Sequence, residues 1–481
     1  MSCSGQVSNN AVLDVREMVC RHMCYASAGL IIAIGNGCHY CSLFGWVGER
    51  RTWVTHLLLV ESWVGAMGTL LPRAVADAGV EFTFLTRRPE HYPESLPDGS
   101  PHPLRRGRAV VTAETNDPIA AVDAARRIHA DEPITGVLTS CDYYLPTTAR
   151  IAREVELPGP EPEAVEIACD KSRTRATLDR MGIPGPRHAT APVADPAQLR
   201  AAAEAVGYPL VVKPTDLCAG MFVRRADDWP TVEDAVDELR GFAVNARGQQ
   251  RSPVVLLEEF LDGREFSVES WIRQGDIHTV GVTDKSLGGV SGFVETGHMF
   301  PADLAAGDRA VLVATAEAAI GAIGLDHGVV HTELRLTAAG PRIIEINPRP
   351  AGNQITELIR LVTGIDLPRV AVELALGREP ATPASEPEDG VARPRSAAVR
   401  MLVPDEAGIV AELHGVDAVA AHPAVASSAF KAPGHHTGAG VDNNSYLGSA
   451  IVVSPDLAGA RPLAEELLSS ISVTYSEVSA R

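Results

Sequence analysis

Apolar positions along the chain come either in short unbroken runs or in amphipathic stretches. His56-Leu57-Leu58-Leu59-Val60 is an unbroken run, the pattern of a strand buried on both faces. The small-residue turn Gly65–Gly68 leads into a helical stretch, Leu70–Ala78, which Gly79 stops, and Val80–Leu85 reads as a second strand. Ala109–Val111 and Gly136–Thr139 read as further strands, with a helix over Ile119–Ala130 between them. This β–α–β order predicts a small parallel α/β domain over residues 55–157. The Pro-rich segment Leu157–Pro162 marks its end, and one helix is predicted over Ala164–Met181. From 158 to 378 strands and helices alternate in an α+β pattern. A Pro- and Glu-rich linker, 379–394, precedes a C-terminal domain, 395–481, with strands at Ala397–Leu402 and Ala450–Val453 and a closing helix at Ala460–Ile471. Residues 1–54 lack either rhythm and read as an irregular extension or a translation start placed too early.

Composition alters this picture little, with 45% hydrophobic and 21% charged residues. Net charge alters it more. At −19, with Leu104–Arg108 as the densest basic stretch, the chain lacks the cation cluster that releases phosphate counterions, so no nucleic-acid partner is expected. No apolar run approaches the roughly 20 residues that span a bilayer, so no membrane partner is expected either. Five of the eight cysteines lie in the first 41 residues. Cys20-x3-Cys24 and Cys38-x2-Cys41 have tolerable zinc spacing but lack the paired pattern of a zinc ribbon.

The most informative chemistry lies in Gly328–Leu336 and Arg342–Arg349, two β-rich runs around a Gly/Pro turn. With residues 337–341 as the loop, Glu333 falls directly opposite Glu345. Opposed Cβ atoms are about 4.5–5.5 Å apart, and like charges there repel. Alternation places Asn347 on the same face as Glu345. Two carboxylates and an amide oxygen on one patch suit a hard divalent cation such as Mg²⁺. Elsewhere, Tyr208–Pro214 ends an apolar strand on Lys213. Val254–Val268 carries Glu258 and Glu265 on two strands around a polar connector, positions from which a purine and a ribose can be read.

In this order and spacing the motifs resemble the ATP-grasp superfamily over nearly all of residues 55–478. The resemblance implies an ATP-grasp fold with an N-terminal parallel α/β domain and a C-terminal α+β domain. It also implies ATP with Mg²⁺ (or Mn²⁺) as cofactors. Glu333, Glu345 and Asn347 match the metal-binding positions and Arg349 a phosphate-contacting one. Lys171 and Lys213 match the two phosphate-binding lysines. Glu258, Glu259 and Leu261 match the adenine hinge, and Glu265 the ribose carboxylate. Within the superfamily the likeness is to L-amino-acid ligases of the bacilysin-synthetase (alanine–anticapsin ligase) type. His331-Thr332-Glu333, Arg349-x-Ala351-Gly352 and Glu295-x-x-His298 carry it. By that likeness Glu295 and His298 meet the incoming amine. Gly352 and Asn353 line the substrate pocket, Asn353 standing where a bulky aromatic can occur, and Asp142 offers an acid to a substrate amino group.

The function so implied is ATP-dependent joining of a carboxylate to an amine through an acyl phosphate, releasing ADP and phosphate. The partners would be small-molecule carboxylates and amines, the location cytoplasmic, and the assembly a homodimer as in many relatives. Two alternatives stay open: another ATP-grasp ligase, of the purine-biosynthesis or biotin-carboxylase kind, and a non-catalytic ATP-binding module. The phosphate-covering loop, Thr215–Arg225, departs from the family's glycine-rich pattern. It has Gly220 alone for φ > 0, Arg224 or Arg225 as cations toward phosphate, and Cys218 as a packing residue.

Overall fold

The computed structural model describes residues 55–476 apart from 64, 97, 98, 290, 382–391, 439 and 441. The cysteine-rich segment and most of the linker lie outside the described residues.

The first sheet holds β1 (His56–Val60), β2 (Glu81–Thr86), β3 (Ala109–Thr112) and β4 (Gly136–Leu138), all parallel, in the order β3-β2-β1-β4. β1 is buried along its whole length, as its unbroken apolar run predicts. Between these strands run α1 (Ala66–Asp77) and α2 (Pro118–Asp131), and α3 (Leu145–Glu154) follows β4.

Residues 164–181 do not form one helix. α4 (Pro162–Cys169) stops at Asp170, whose carboxylate caps α5 (Lys171–Arg180) by accepting from the amides of Ser172 and Arg173. Asp is a strong N-cap, and this one ends one helix and starts the next. The break puts Lys171 at the first position of α5, with its amide bonded to Thr215 O.

A small antiparallel sheet follows in the order β5-β8-β6-β7, from β5 (His188–Pro192), β6 (Leu210–Pro214), β7 (Arg224–Ala226) and β8 (Val254–Glu259). α6 (Pro196–Val206) and α7 (Trp229–Arg240) share its core. The largest sheet is antiparallel and begins with β9 (Arg264–Arg273), β10 (Asp276–Gly288) and β11 (Val294–Phe300). After α8 (Ala306–Ile323) come β12 (Gly328–Thr337) and β13 (Gly340–Asn347), then α9 (Ile355–Thr363) and α10 (Leu367–Ala375).

Beyond the linker lie β14 (Ser396–Leu402), β15 (Gly408–His414), α11 (Val416–Ala420), β16 (Val425–Phe430), β17 (His436–Thr437), β18 (Gly448–Ser454), α12 (Ala460–Ser469) and β19 (Ser472–Ser476). β14, β18 and β16 extend the large sheet, whose order is β13-β12-β9-β10-β11-β14-β18-β16. β15, β17 and β19 form a separate three-stranded sheet.

The β12–β13 hairpin differs from expectation in its turn. Thr337 pairs with Gly340, so the loop is two residues, not five. A bulge at Ile344 then restores the register, and Glu333 does face Glu345, with His331 opposite Asn347. An extra residue in one strand re-aims the side chains beyond it, which is why bulges recur beside functional sites.

Gly263 joins β8 to β9 at φ +149, and a Cβ there would lie 2.3 Å from the carbonyl oxygen of Leu336. Because the obstructing atom is backbone, relief requires strand movement. Gly263→Ala is expected to lower stability by about 1–3 kcal/mol, read as a lower urea midpoint.

Candidate active site

Every site residue named from the sequence except His298 and the arginines of the covering loop, Arg224 and Arg225, lines one cavity of about 670 Å³ between the large and small sheets. Its walls come from all three parts of the chain. β6 and β8 supply Lys213 and Glu258, β12 and β13 supply Glu333, Glu345 and Asn347, and the turn after β4 supplies Asp142.

Nearly every charged group in the cavity is paired. Lys171 Nζ is 2.8 Å from Glu345 and donates to Leu217 O at 2.6 Å. Burial works against its charge, but Glu345 more than offsets this and raises its pKa. Lys213 Nζ is 2.7 Å from Glu258, whose other oxygen accepts from Arg175 Nε at 2.6 Å. Burial pulls the Lys213 pKa down and Glu258 only partly restores it. For Glu258 itself, burial pushes upward, but Arg175 and Lys213 together hold it down at about 2. Glu258 is thus a bridge between two buried cations, where the sequence placed it in the adenine hinge.

Around Glu333 the charges are denser. Lys285 Nζ lies 2.9 Å from Glu333, 2.9 Å from Glu295 and 3.2 Å from Glu265. His331 places Nδ1 2.9 Å from Glu269 and Nε2 3.0 Å from Glu333. Burial disfavours an imidazolium, yet the two carboxylates raise the His331 pKa to about 9. Glu265 also takes Arg335 Nε at 3.1 Å. Lys285, Glu269, Arg335 and Arg175 were not singled out in the sequence. Each is one of several charged residues in its strand or helix, and only the packing shows which partner it takes.

On the opposite wall, Arg349 Nε donates to Asp142 at 2.6 Å, joining residues 207 apart in sequence, and Trp63 Nε1 donates to the other Asp142 oxygen at 2.6 Å. Asn353, in the left-handed region at φ 45, donates its amide to Glu295. Tyr446 adds a hydroxyl that donates to Glu295 O at 2.7 Å. His298 is fully buried behind this wall, its Nε2 3.2 Å from Glu295. It touches the carboxylate but does not line the cavity: the bulge at Thr296 keeps it on the same face of β11 as Glu295, opposite Lys285, and it is fully covered there.

The covering loop also departs from expectation. Ala219 and Phe222 join Gly220 in the left-handed region. Arg224 pairs with Glu238 at 2.8 Å and Arg225 with Asp227 at 2.7 Å, so neither turns its charge into the cavity. Burial pushes the Cys218 thiol up to about 12, consistent with a packing role.

Glu333, Glu345 and Asn347 meet the requirements of a hard cation: two opposed carboxylates and an amide oxygen at one end of the cavity. Lys171, Lys213 and Arg349 bring cations to the same cavity, and Asp142, Glu295 and Asn353 bring polar and acidic groups to it.

Family models match this architecture piece by piece: an ATP-grasp N-terminal domain over 73–159, an ATP-grasp domain over 206–357, and an L-amino acid ligase C-terminal domain 2 over 400–476. The chain is an ATP-grasp ligase, a member of the enzymes that form carbon–nitrogen bonds. Its C-terminal part matches the C-terminal domain of L-amino acid ligases. It is 29% identical over 371 residues to protein y4rH of Sinorhizobium fredii, covering 77% of this chain and 74% of that one. It is 30% identical over 339 residues to carnosine synthase 1 of Mus musculus, covering 68% and 40%. With alanine–anticapsin ligase of Bacillus amyloliquefaciens it shares 27% over 266 residues, covering 51% and 55%. The chain therefore spans about half or less of the length of the last two. The L-amino acid ligase of Bacillus licheniformis shares the fold at a TM-score of 0.71 and 24% identity, over 88% of this chain and 99% of that one.

Because the Glu258 pKa is about 2 against an ordinary 4.5, its stabilisation is complete above pH 4.5 and is lost as pH falls through 2. Glu258→Gln leaves Lys213 and Arg175 without their counter-charge and is expected to cost roughly 3–5 kcal/mol at pH 7. In urea unfolding the gap to wild type should close as pH is lowered from 4.5 toward 2.

Proposed function

We propose that this protein uses ATP to activate a carboxylate as an acyl phosphate and passes the acyl group to an amine, joining an amino acid to another amino acid or amine. The convergence in one cavity of Lys171, Lys213, Arg349 and the opposed Glu333–Glu345 pair carries this reading.

A carboxylate is a poor electrophile because its oxygen is a poor leaving group. Attack of a carboxylate oxygen on the γ-phosphorus, with release of ADP, replaces it with a phosphate that can leave. The amine, after giving up a proton to solvent, then attacks the acyl carbon through its nitrogen lone pair, and inorganic phosphate departs as the nitrogen loses a second proton. What the protein contributes is position and charge. Lys171 and Lys213 are the cations for the nucleotide phosphates, and exchange their carboxylate partners for phosphate oxygens. Arg349 neutralises charge on the transferring phosphoryl group. Glu333, Glu345 and Asn347 would hold Mg²⁺, which when bound supplies charge neutralisation at the phosphates.

Across the Lys285 ammonium from Glu333, burial pushes the Glu295 pKa up, but Lys285 and His298 outweigh it and keep the carboxylate ionised, able to hold the incoming ammonium group. His298, lying behind Glu295, orients that carboxylate in this reading. Asp142 holds the amino group of the substrate whose carboxylate is activated. The small side chain of Asn353 leaves room beside Glu295, so substrates larger than those a bulky residue would admit fit here.

Phosphate release from ATP and Mg²⁺ against a panel of amino acids, singly and in pairs, tests the reading. Particular pairs should stimulate release with ADP as the nucleotide product, and Glu345→Ala should reduce it by about 100-fold or more. Tight ATP binding with no stimulation by any pair would replace this reading with a ligase for other substrates or a binding module.

A further inference from the structure

The loop between α7 and β8, residues 241–253, leaves the small sheet that carries Lys213 and seats Arg247 against the N-terminal sheet. Arg247 is 5% exposed and has no ion-paired carboxylate among the described residues. A buried cation without a counter-charge is costly, so its other contacts must compensate. Its guanidinium centre lies 5.5 Å from the ring centroids of both Trp63 and Tyr92, within cation–π range, and Nη2 donates to Ser62 O. Its own carbonyl accepts from Arg87 Nη2 at 2.6 Å and Asn116 Nδ2 at 2.9 Å. Next to it, Gln249 Nε2 donates to Tyr143 O at 3.3 Å.

Arg247 does not line the cavity, but the ring beneath it does. Trp63 Nε1 donates to Asp142, and Asp142 receives Arg349. A short path therefore runs from the lobe that carries Lys213 to the pair on the substrate side: Arg247, Trp63, Asp142, Arg349.

We propose that Arg247 is a positioning residue. Seated from the small-sheet lobe, it fixes Trp63 so that the indole N–H holds Asp142, and Asp142 holds Arg349. The substrate side of the cavity is then set only while that lobe is docked on the N-terminal sheet. Nucleotide held through Lys213 and substrate held through Asp142 become coupled in binding, each favouring the docked lobe and so favouring the other. This rests on the reading of the cavity given above.

The test uses the full chain with Arg247→Ala, Arg247→Lys, Trp63→Phe and the double variant Arg247→Ala/Trp63→Phe. Trp63→Phe keeps a ring under the guanidinium and removes the indole donor. The kinetic probe is whichever of the twenty amino acids most stimulates phosphate release by wild type. The KM for that amino acid should rise about tenfold in Arg247→Ala and in Trp63→Phe, within the range usual for coupled sites. Arg247→Lys should fall between Arg247→Ala and wild type. The Kd for Mg-ADP, by calorimetry without amino acid, should rise in Arg247→Ala, which loosens the lobe, and stay within about twofold of wild type in Trp63→Phe, which leaves the lobe docked. The double variant should be no worse than the worse single one, because both act along one route. Single effects that multiply, or an unchanged KM in Arg247→Ala, overturn the proposal.

Amide exchange gives an outcome independent of any substrate. Residues 139–145 should exchange faster in Arg247→Ala than in wild type, and equal exchange overturns the proposal even if no amino acid is ever turned over. If no amino acid stimulates wild type yet exchange does rise, the positioning of the Asp142 segment by Arg247 stands and the ligase reading fails.

Discussion

Three carboxylates, from Glu265, Glu295 and Glu333, surround the single buried ammonium of Lys285. Charges of one sign that close, largely removed from solvent, repel strongly unless a cation sits among them. Lys285 is that cation, and its position makes β9, β10, β11 and β12 mutually dependent, since each contributes one member. A one-residue slip in any of these strands would carry its member to the other face of the sheet and leave the rest unbalanced. His331 completes the arrangement as an imidazolium between Glu269 and Glu333.

The rest of the cavity follows the same rule with partners drawn from farther away. Glu345 is balanced by Lys171, which the break at Asp170 places at the start of a helix instead of the middle of one. Glu258 is balanced from two sides by Lys213 and Arg175. Asp142 and Arg349 balance each other across the chain. A cavity in which the cations are already answered by carboxylates is one where an anionic ligand and its metal can enter by exchange of partners, with little change in local net charge. Such a site is stable when empty and has its cations positioned in advance, which is the requirement for charge stabilisation without reorganisation.

The parts legible in the sequence were those whose physics is local. The unbroken run His56–Val60 announced a doubly buried strand and is one. Gly328–Arg349 announced a hairpin with two acids opposed, and the acids are opposed. That agreement hides a cancellation: the turn is three residues shorter than the spacing indicated, and the bulge at Ile344 makes up the register. No periodicity rule reports a bulge, because the extra residue is chosen by what the strand packs against. In the present case the Ile344 carbonyl accepts from Arg175.

By itself, the sequence determined where strands such as His56–Val60 and the Gly328–Arg349 hairpin lie, which residues carry acid, amide and cationic groups, and the motif order by which the chain resembles its family. The tertiary structure decided the rest: that His298 stands behind Glu295, that Glu258 bridges two cations, that Arg224 and Arg225 turn outward, and that Lys285 belongs to the site at all. These outcomes depend on which groups meet across tens or hundreds of residues. In a low-dielectric interior a charge's role is set by its neighbours, and neighbours are a property of the fold.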